Sequence, residues 1–221
     1  MEEAFDEFAI VMCSANQLHP ELFYLRKRVV IMVDKQNKDQ ERRSEDLILH
    51  GERVYLRRPT MDDAISVFQW ENDDEIWRYD LDRPHTPSIE DFLLKFESNY
   101  VNSRGNQFWF LIENEQHISI GTITYFNLRY INHNNKLGVV EIGLGIGDKT
   151  HWGKGYGPDA ISTLGKHIFE NPAIVCLIAE VAPTNQPARR AFAKAGFEEI
   201  GQTQGWIQLE MWTPHGIPDV F

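Results

Sequence analysis

The run from Glu141 to Phe169, EIGLGIGDKTHWGKGYGPDAISTLGKHIF, constrains the fold more than any other part of the chain. Its first residues complete a β-rich run, Leu137–Ile146. Its last part, Gly155–Phe169, sets Ala160, Ile161, Leu164 and Ile168 on one helical stripe. A strand that turns directly into a helix brings the unpaired first-turn amides, and the positive end of the helix dipole, to the strand's end. Gly153, Gly155 and Gly157 let the connecting backbone approach a ligand closely and point several N–H groups to one side. Pro158 has no N–H, but at an early helical position the loss is unimportant. The turn therefore reads as an anion site suited to a diphosphate. Its glycines are spaced G-x-G-x-G rather than G-x-G-x-x-G, and no Lys-Ser or Lys-Thr pair follows. That sets aside a dinucleotide fingerprint and a P-loop. A turn that merely caps a helix remains an alternative at this point.

The rest of the chain supplies the elements such a unit needs. Arg53–Arg57 alternates as a short strand, and Pro59-Thr60 with Asp62-Asp63 starts a helix. Ser88 opens a second helix with Ile89, Phe92, Leu93 and Phe96 on one face. Gln107–Glu113, Ser119–Asn127 and Leu137–Ile146 are β-rich runs between polar turns, and Val175–Val181 reads as a buried strand. Gln186–Ala195 is a helix closed by Gly196, followed by a hairpin over Glu199–Gln204 and Trp206–Thr213. This order predicts a mixed α/β (α+β) fold. The chain divides near residue 47. Of the thirteen residues 34–46, DKQNKDQERRSED, nine are charged and none is apolar, so they read as a solvated linker or fraying helix. Leu22–Val33 looks strand-like. The extension 1–46 is too small to bury a core alone and is expected to dock on the main domain, 47–221, or on a partner.

With 33 acids against 22 Lys plus Arg, the chain carries a formal charge of −11, which argues against nucleic-acid and anionic-membrane partners. Residues 62–91 concentrate it, with ten acids against Arg78 and Arg83. No apolar run approaches the roughly 18–20 residues of a membrane span. The acidic start MEEAFDEF is unlike a secretory signal, and Cys13 with Cys176 cannot form a disulfide framework, so a cytoplasmic location is expected. Eight histidines are scattered without ligand spacing, and no metal site is proposed. No G-x-S-x-G elbow is present, and Cys176, inside an apolar strand, reads as a small buried hydrophobe.

A second stretch, VAPTNQPARRAFAKAGFEEIG, follows the buried strand. Asn185, Ala188, Phe192, Lys194, Gly196 and Phe197, taken with Gly153-Lys154-Gly155-Tyr156-Gly157, resemble the paired motifs of the Gcn5-related N-acetyltransferase superfamily. Within it they are similar to the ribosomal-protein-alanine acetyltransferase group. That group has (Q/R)-x-x-G-x-(G/A) at its acetyl-CoA pyrophosphate turn and later N-x-x-(S/A)-x-x-x-(Y/F)-x-K-x-G-F. Trp152 stands where Gln or Arg is usual. RVYLRRPTMDD and WENDDEIWRY look like the family's first strand and first helices, so the likeness spans roughly 48–213.

The resemblance implies the acyl-CoA N-acyltransferase fold, a mostly antiparallel mixed sheet flanked by helices. It implies acetyl-CoA as co-substrate, bound in a V-shaped opening between the strand ending near Ile146 and the strand Val175–Val181. Leu144, Gly145 and Ile146 would pair with the pantetheine arm, and the amides of Gly153, Lys154, Gly155, Tyr156 and Gly157 would hold the diphosphate, with Lys154 adding charge. Asn185 would bond the cofactor arm or orient the amine, and it also suits a helix N-cap. Glu141 is the candidate base, directly or through a water, with an exposed strand Glu as the alternative. Gly143 and Gly145 would permit a bulge that aims an N–H at the thioester oxygen. The family's acidic tyrosine falls at Phe192, which lies beside the cofactor but cannot donate a proton, leaving Tyr125, Tyr156, a water, or no acid at all. Trp70, Trp77 and Tyr79 are candidate walls for the acceptor or members of the core.

The implied reaction moves acetyl to a primary amine by direct attack in a ternary complex. The acceptor is a small molecule, a cationic one if the acidic block at 62–91 walls its site, or the terminal amine of a peptide. A non-catalytic CoA-binding module and a homodimer also stand open.

Overall fold

The computed structural model describes residues 47–79, 88–103, 107–132 and 137–214, without the side chains of residues 131 and 132. The extension 1–46, with its strand-like run and Cys13, lies outside the described residues, as do Asp80, Asp82 and Arg83. The chain runs β1 (Ile48–His50), β2 (Tyr55–Arg57), α1 (Ala64–Glu71), α2 (Ile89–Phe96), β3 (Gln107–Glu113), β4 (Ser119–Asn132) and β5 (Leu137–Ile146). It continues through α3 (Tyr156–Ile168), β6 (Ile174–Val181), α4 (Gln186–Lys194), β7 (Glu198–Thr203) and β8 (Trp206–Trp212). The strands form one sheet in the order β1-β2-β3-β4-β5-β6-β8-β7. Every pairing is antiparallel except β5 with β6. This is the mixed, mostly antiparallel sheet that the family resemblance implies.

Alternation along β5 divides the two faces. Val140, Ile142, Leu144 and Ile146 join Ala160, Ile161, Leu164 and Ile168 of α3 and Ala188, Ala191 and Phe192 of α4 in the larger core. Each such Leu or Ile, fully buried, contributes about 1.5–3 kcal/mol. The opposite face carries α1 and α2. There Ala64, Val67, Phe92 and Phe96 pack with Tyr100, Trp109 and Leu111. Helix α2 starts where Ser88 accepts a hydrogen bond from the Asp91 amide. The turn before α1 is fixed by Asp63, whose carboxylate accepts from the Thr60 amide at 2.8 Å.

Two features depart from the sequence reading. Strand β1 has only three residues and no apolar alternation, and it forms because β2 offers an open edge at Leu56 and its neighbours. Strand β4 runs past Asn127 to Asn132 through a bulge between Phe126 and Arg129. Asn127 takes a left-handed φ of 54° there, a conformation Asn tolerates better than most residues. None of the described helices is long and apolar enough to cross a membrane.

Candidate active site

The parallel ladder between β5 and β6 begins at Gly138–Ile174 and ends at Glu141–Ile178. Beyond it β5 continues to Ile146 against β4, and β6 continues to Val181 against β8. The two strands therefore part into a V. Leu144, Gly145 and Ile146 lie on one arm, and Glu141 sits at the apex. The backbone of that arm turns toward the opening without a strand partner on that side among the described residues, which suits an extended amide-bearing chain.

The turn after β5 is built in steps. Asp148 caps a short 3-10 turn, accepting from the Thr150 amide at 2.9 Å. Trp152 donates its indole N–H to the Ile146 carbonyl at 2.9 Å, tying the turn back to the strand it leaves. Gly153 and Gly155 follow with φ of 70° and 86°, a conformation that favours glycine. A Cβ at Gly153 would meet nothing within 4 Å, so open space lies in front of it. Helix α3 then begins at Tyr156, with Gly155 as its N-cap and no side chain capping it.

Behind this turn stands a polar brace. Asp159 accepts from the amides of Glu52, Arg53 and Val54 at 3.1, 2.7 and 3.0 Å. Arg53 donates to the Lys154 carbonyl and to Glu115, here at 3.1 Å, with its guanidinium 4.7 Å from the Tyr156 ring centre. The Tyr156 hydroxyl donates to Glu115 at 2.9 Å. Desolvation and the Glu115 charge raise the Tyr156 phenol above its ordinary range. The sequence reading found the glycines but missed the brace, because Arg53 and Glu115 are remote from the turn in sequence. The Lys154 side chain is exposed.

Asn185, 1% exposed, is the N-cap of α4, its side-chain oxygen accepting from the Ala188 amide at 3.1 Å. Its Nδ2 is buried without a hydrogen-bond partner. A buried amide left without an acceptor costs about 1–3 kcal/mol, so a carbonyl on a bound ligand would complete it. This orphan donor, the open glycine turn and the splayed strands together fit an acyl-CoA.

Glu141, 4% exposed, accepts from Asn127 Nδ2 at 2.9 Å. It shares the β5 face of Gly143 and Gly145, because residues two apart point the same way. Those glycines line a solvent-open cleft of about 440 Å³, walled also by Val67, Trp70, Glu71, Ile76, Trp77, Trp109, Thr122 and Thr124. Trp70 and Trp77 are thus brought to the cleft, while Tyr79 packs against Ile76 and Trp77 and is not among its walls. Phe192 is enclosed in the core, edge-on to Phe197 at 5.0 Å. Tyr125 is opposite Ile142, and so lies on the face away from the cleft. Burial pushes its phenol up to about 12.

A sheet splayed beside a glycine turn and an N-capping Asn defines an acyl-CoA-dependent transferase. Residues 53–198 match the family described as "Acetyltransferase (GNAT) domain", and the chain belongs to that family. It is an N-acetyltransferase with acetyl-CoA as co-substrate. A relative, the uncharacterized N-acetyltransferase p20 of Bacillus licheniformis, is 28% identical over 155 residues, 69% of this chain and 83% of its own. Among solved structures, aminoglycoside acetyltransferase AAC(6')-Ib with coenzyme A and kanamycin superposes with a TM-score of 0.59. It has 20% identity and covers 72% of this chain and 94% of its own. Spermidine N-acetyltransferase from Vibrio cholerae with CoA and spermine gives 0.60 at 18% identity, covering 72% and 95%. At these identities the structures establish the fold.

Proposed function

We propose that the chain transfers acetyl from acetyl-CoA to the primary amine of a small cationic molecule, with Glu141 as the proton acceptor. The observation that carries this reading is a buried carboxylate at the apex of the V, on the same strand face as the cleft-lining Gly143 and Gly145. The amine arrives as an ammonium and must lose a proton before its nitrogen can attack. Glu141 takes that proton directly or through a water. The nitrogen forms a bond to the thioester carbon, the C–S bond breaks and the sulfur leaves with the electron pair, while the second nitrogen proton passes to the departing thiolate or to water, leaving the neutral amide. A thiol with an ordinary pKa of about 8.5 departs without full protonation, so Phe192 in place of a tyrosine is compatible with turnover.

Backbone N–H groups along Leu144–Ile146 and the glycine turn orient the co-substrate, and Asn185 Nδ2 supplies a further donor. That two structural neighbours carry kanamycin and spermine supports an amine as acceptor. Thiol release from acetyl-CoA, followed with a panel of amines, tests the reading. Amine-dependent release that Glu141→Gln abolishes supports it. Release that this variant leaves untouched overturns Glu141 as the base.

A further inference from the structure

The hairpin turn between β3 and β4 reaches the glycine turn at both of its ends. Glu115 accepts from Tyr156 just after Gly153 and Gly155. Asn114 meets His151 just before them, its Nδ2 lying 3.2 Å from the imidazole Nε2. Both partners are enclosed: Asn114 is 1% exposed, and the His151 side chain 17%. Backbone bonds close the hairpin at this point. Asn114 donates its N–H to the Ile118 carbonyl at 3.0 Å, and His117 donates its N–H to the Asn114 carbonyl at 2.9 Å.

The network fixes which atoms carry protons. Asn114 Oδ1 accepts from the amides of Gln116 and Ile118, both at 3.0 Å, so the end of the side chain that faces His151 is its NH2 group. An amide nitrogen donates and does not accept, so Nε2 of His151 meets it with a lone pair. The ring proton then sits on Nδ1, 2.9 Å from Asp148 Oδ2 and 3.1 Å from Thr150 Oγ1. Thr150 gives its own hydroxyl proton to Asp148 Oδ1 at 2.8 Å and remains an acceptor toward the ring. Burial would raise the Asp148 carboxyl, but hydrogen bonds from Thr150 and His151 outweigh it and hold the group below its usual range. The ring is also met by Tyr156 of α3, with ring centres 5.4 Å apart, and Glu115 and Arg53 engage that tyrosine in turn. Lys149, in the same turn as His151, pairs with Asp73 and Glu75.

Resting on the reading that the glycine turn holds the diphosphate of acetyl-CoA, we propose that His151 is a positioning residue for that group. As a neutral imidazole with its proton on Nδ1, it links Asp148 to Asn114 and docks the start of the turn on the β3–β4 hairpin. A second proton, on Nε2, would face the Asn114 NH2 group. That amide cannot turn over without taking its oxygen from the Gln116 and Ile118 amides. The link therefore exists only with the neutral ring.

Nitrogen-15 NMR of the full chain with labelled histidine reads the tautomer at about pH 8, the His151 resonances being assigned by their loss in His151→Gln. Nδ1 is expected to be protonated and Nε2 bare, and the reverse overturns the proposal. Binding of dephospho-CoA, and of pantetheine, which lacks the diphosphate, reads the role. At about pH 8, His151→Leu should weaken dephospho-CoA about three- to tenfold and pantetheine less than about twofold. His151→Gln, whose Oε1 can accept from Asn114, should recover most of that loss. Asn114→Asp keeps an oxygen for the two hairpin amides but replaces the donor with an acceptor, so its link forms with the charged ring instead. Its affinity for dephospho-CoA relative to the parent should rise about three- to tenfold from about pH 8 to about pH 5.5. A flat ratio, or equal losses of both ligands in His151→Leu, overturns the proposal. Gly153→Val sets a side chain in the open space before the turn and tests the reading beneath. Dephospho-CoA binding unchanged in that variant overturns both, whereas binding lost there but intact in His151→Leu overturns the positioning role alone.

Discussion

Asn127 donates to the carboxylate of Glu141 at 2.9 Å across the β4 bulge, from a left-handed backbone that points its amide at the apex of the V. The bulge thus fixes the orientation of the proposed base. Glu141→Gln retains an oxygen for Asn127 and should fold normally. It should lower kcat about 10²–10⁴-fold, the usual worth of a general base. Steady-state thiol release beside a CoA-binding titration checks this, and acetyl-CoA affinity should be unchanged. Asn127→Ala should lower kcat less than Glu141→Gln, because it frees the carboxylate without removing it.

Asn185 caps α4 and, in the proposed function, also donates to acetyl-CoA, and a single substitution can separate the two. Serine caps helices about as well as asparagine but lacks the amide donor. Asn185→Ser should leave the melting temperature near that of the parent and raise the KM for acetyl-CoA about three- to tenfold. Asn185→Ala should raise that KM as well and, in addition, cost about 1 kcal/mol of stability. Thermal unfolding and acetyl-CoA saturation curves are the two measurements.

Arg53 holds the carbonyl of Lys154 and lies over the Tyr156 ring, bracing the glycine turn. Its effect should reach the co-substrate only through the diphosphate. Arg53→Gln should weaken CoA binding about tenfold and leave pantetheine, which lacks the diphosphate, unaffected. Equal losses for both ligands would show that the brace serves overall stability instead.

Arg57 and Asp63 form a two-pronged pair at 2.7 and 2.8 Å, with Arg57 also donating to Glu113 at 2.6 Å. Burial alone would raise the Asp63 carboxyl. The Arg57 and Thr60 hydrogen bonds outweigh it and hold the group below the usual carboxylate range. A depressed folded value means stability that is full above the unfolded pKa of about 3.9 and is lost as pH falls through the lower folded value. Asp63→Asn should cost about 3 kcal/mol at neutral pH and should flatten this acid limb. Urea unfolding at pH 7 and in steps down to pH 2 measures both.

How far the sequence reached differs from element to element. The glycine turn and α3 were legible because strand period, glycine spacing and helical stripe lie in one continuous run. The extension of β4 to Asn132 was not, since a bulge shifts the alternation that marks a strand. Strand β1 escaped because three residues carry no period. The aromatic residues Trp70 and Trp77 were visible as candidates. Their choice between core and cleft depended on Gly147 and the bare strand facing them.

The sequence by itself determined the fold family, the glycine turn and the N-capping Asn185, since each depends on residues near one another in the chain. Tertiary structure decided which of the acids matter. Ten carboxylates in residues 62–91 are equivalent as a charge count, but Arg57 and Lys149, brought in from other elements, pair three of them. Glu71 lines the cleft and accepts from the Tyr100 hydroxyl. Charge pairing in space is a property of distance after folding, and linear composition contains no such distances.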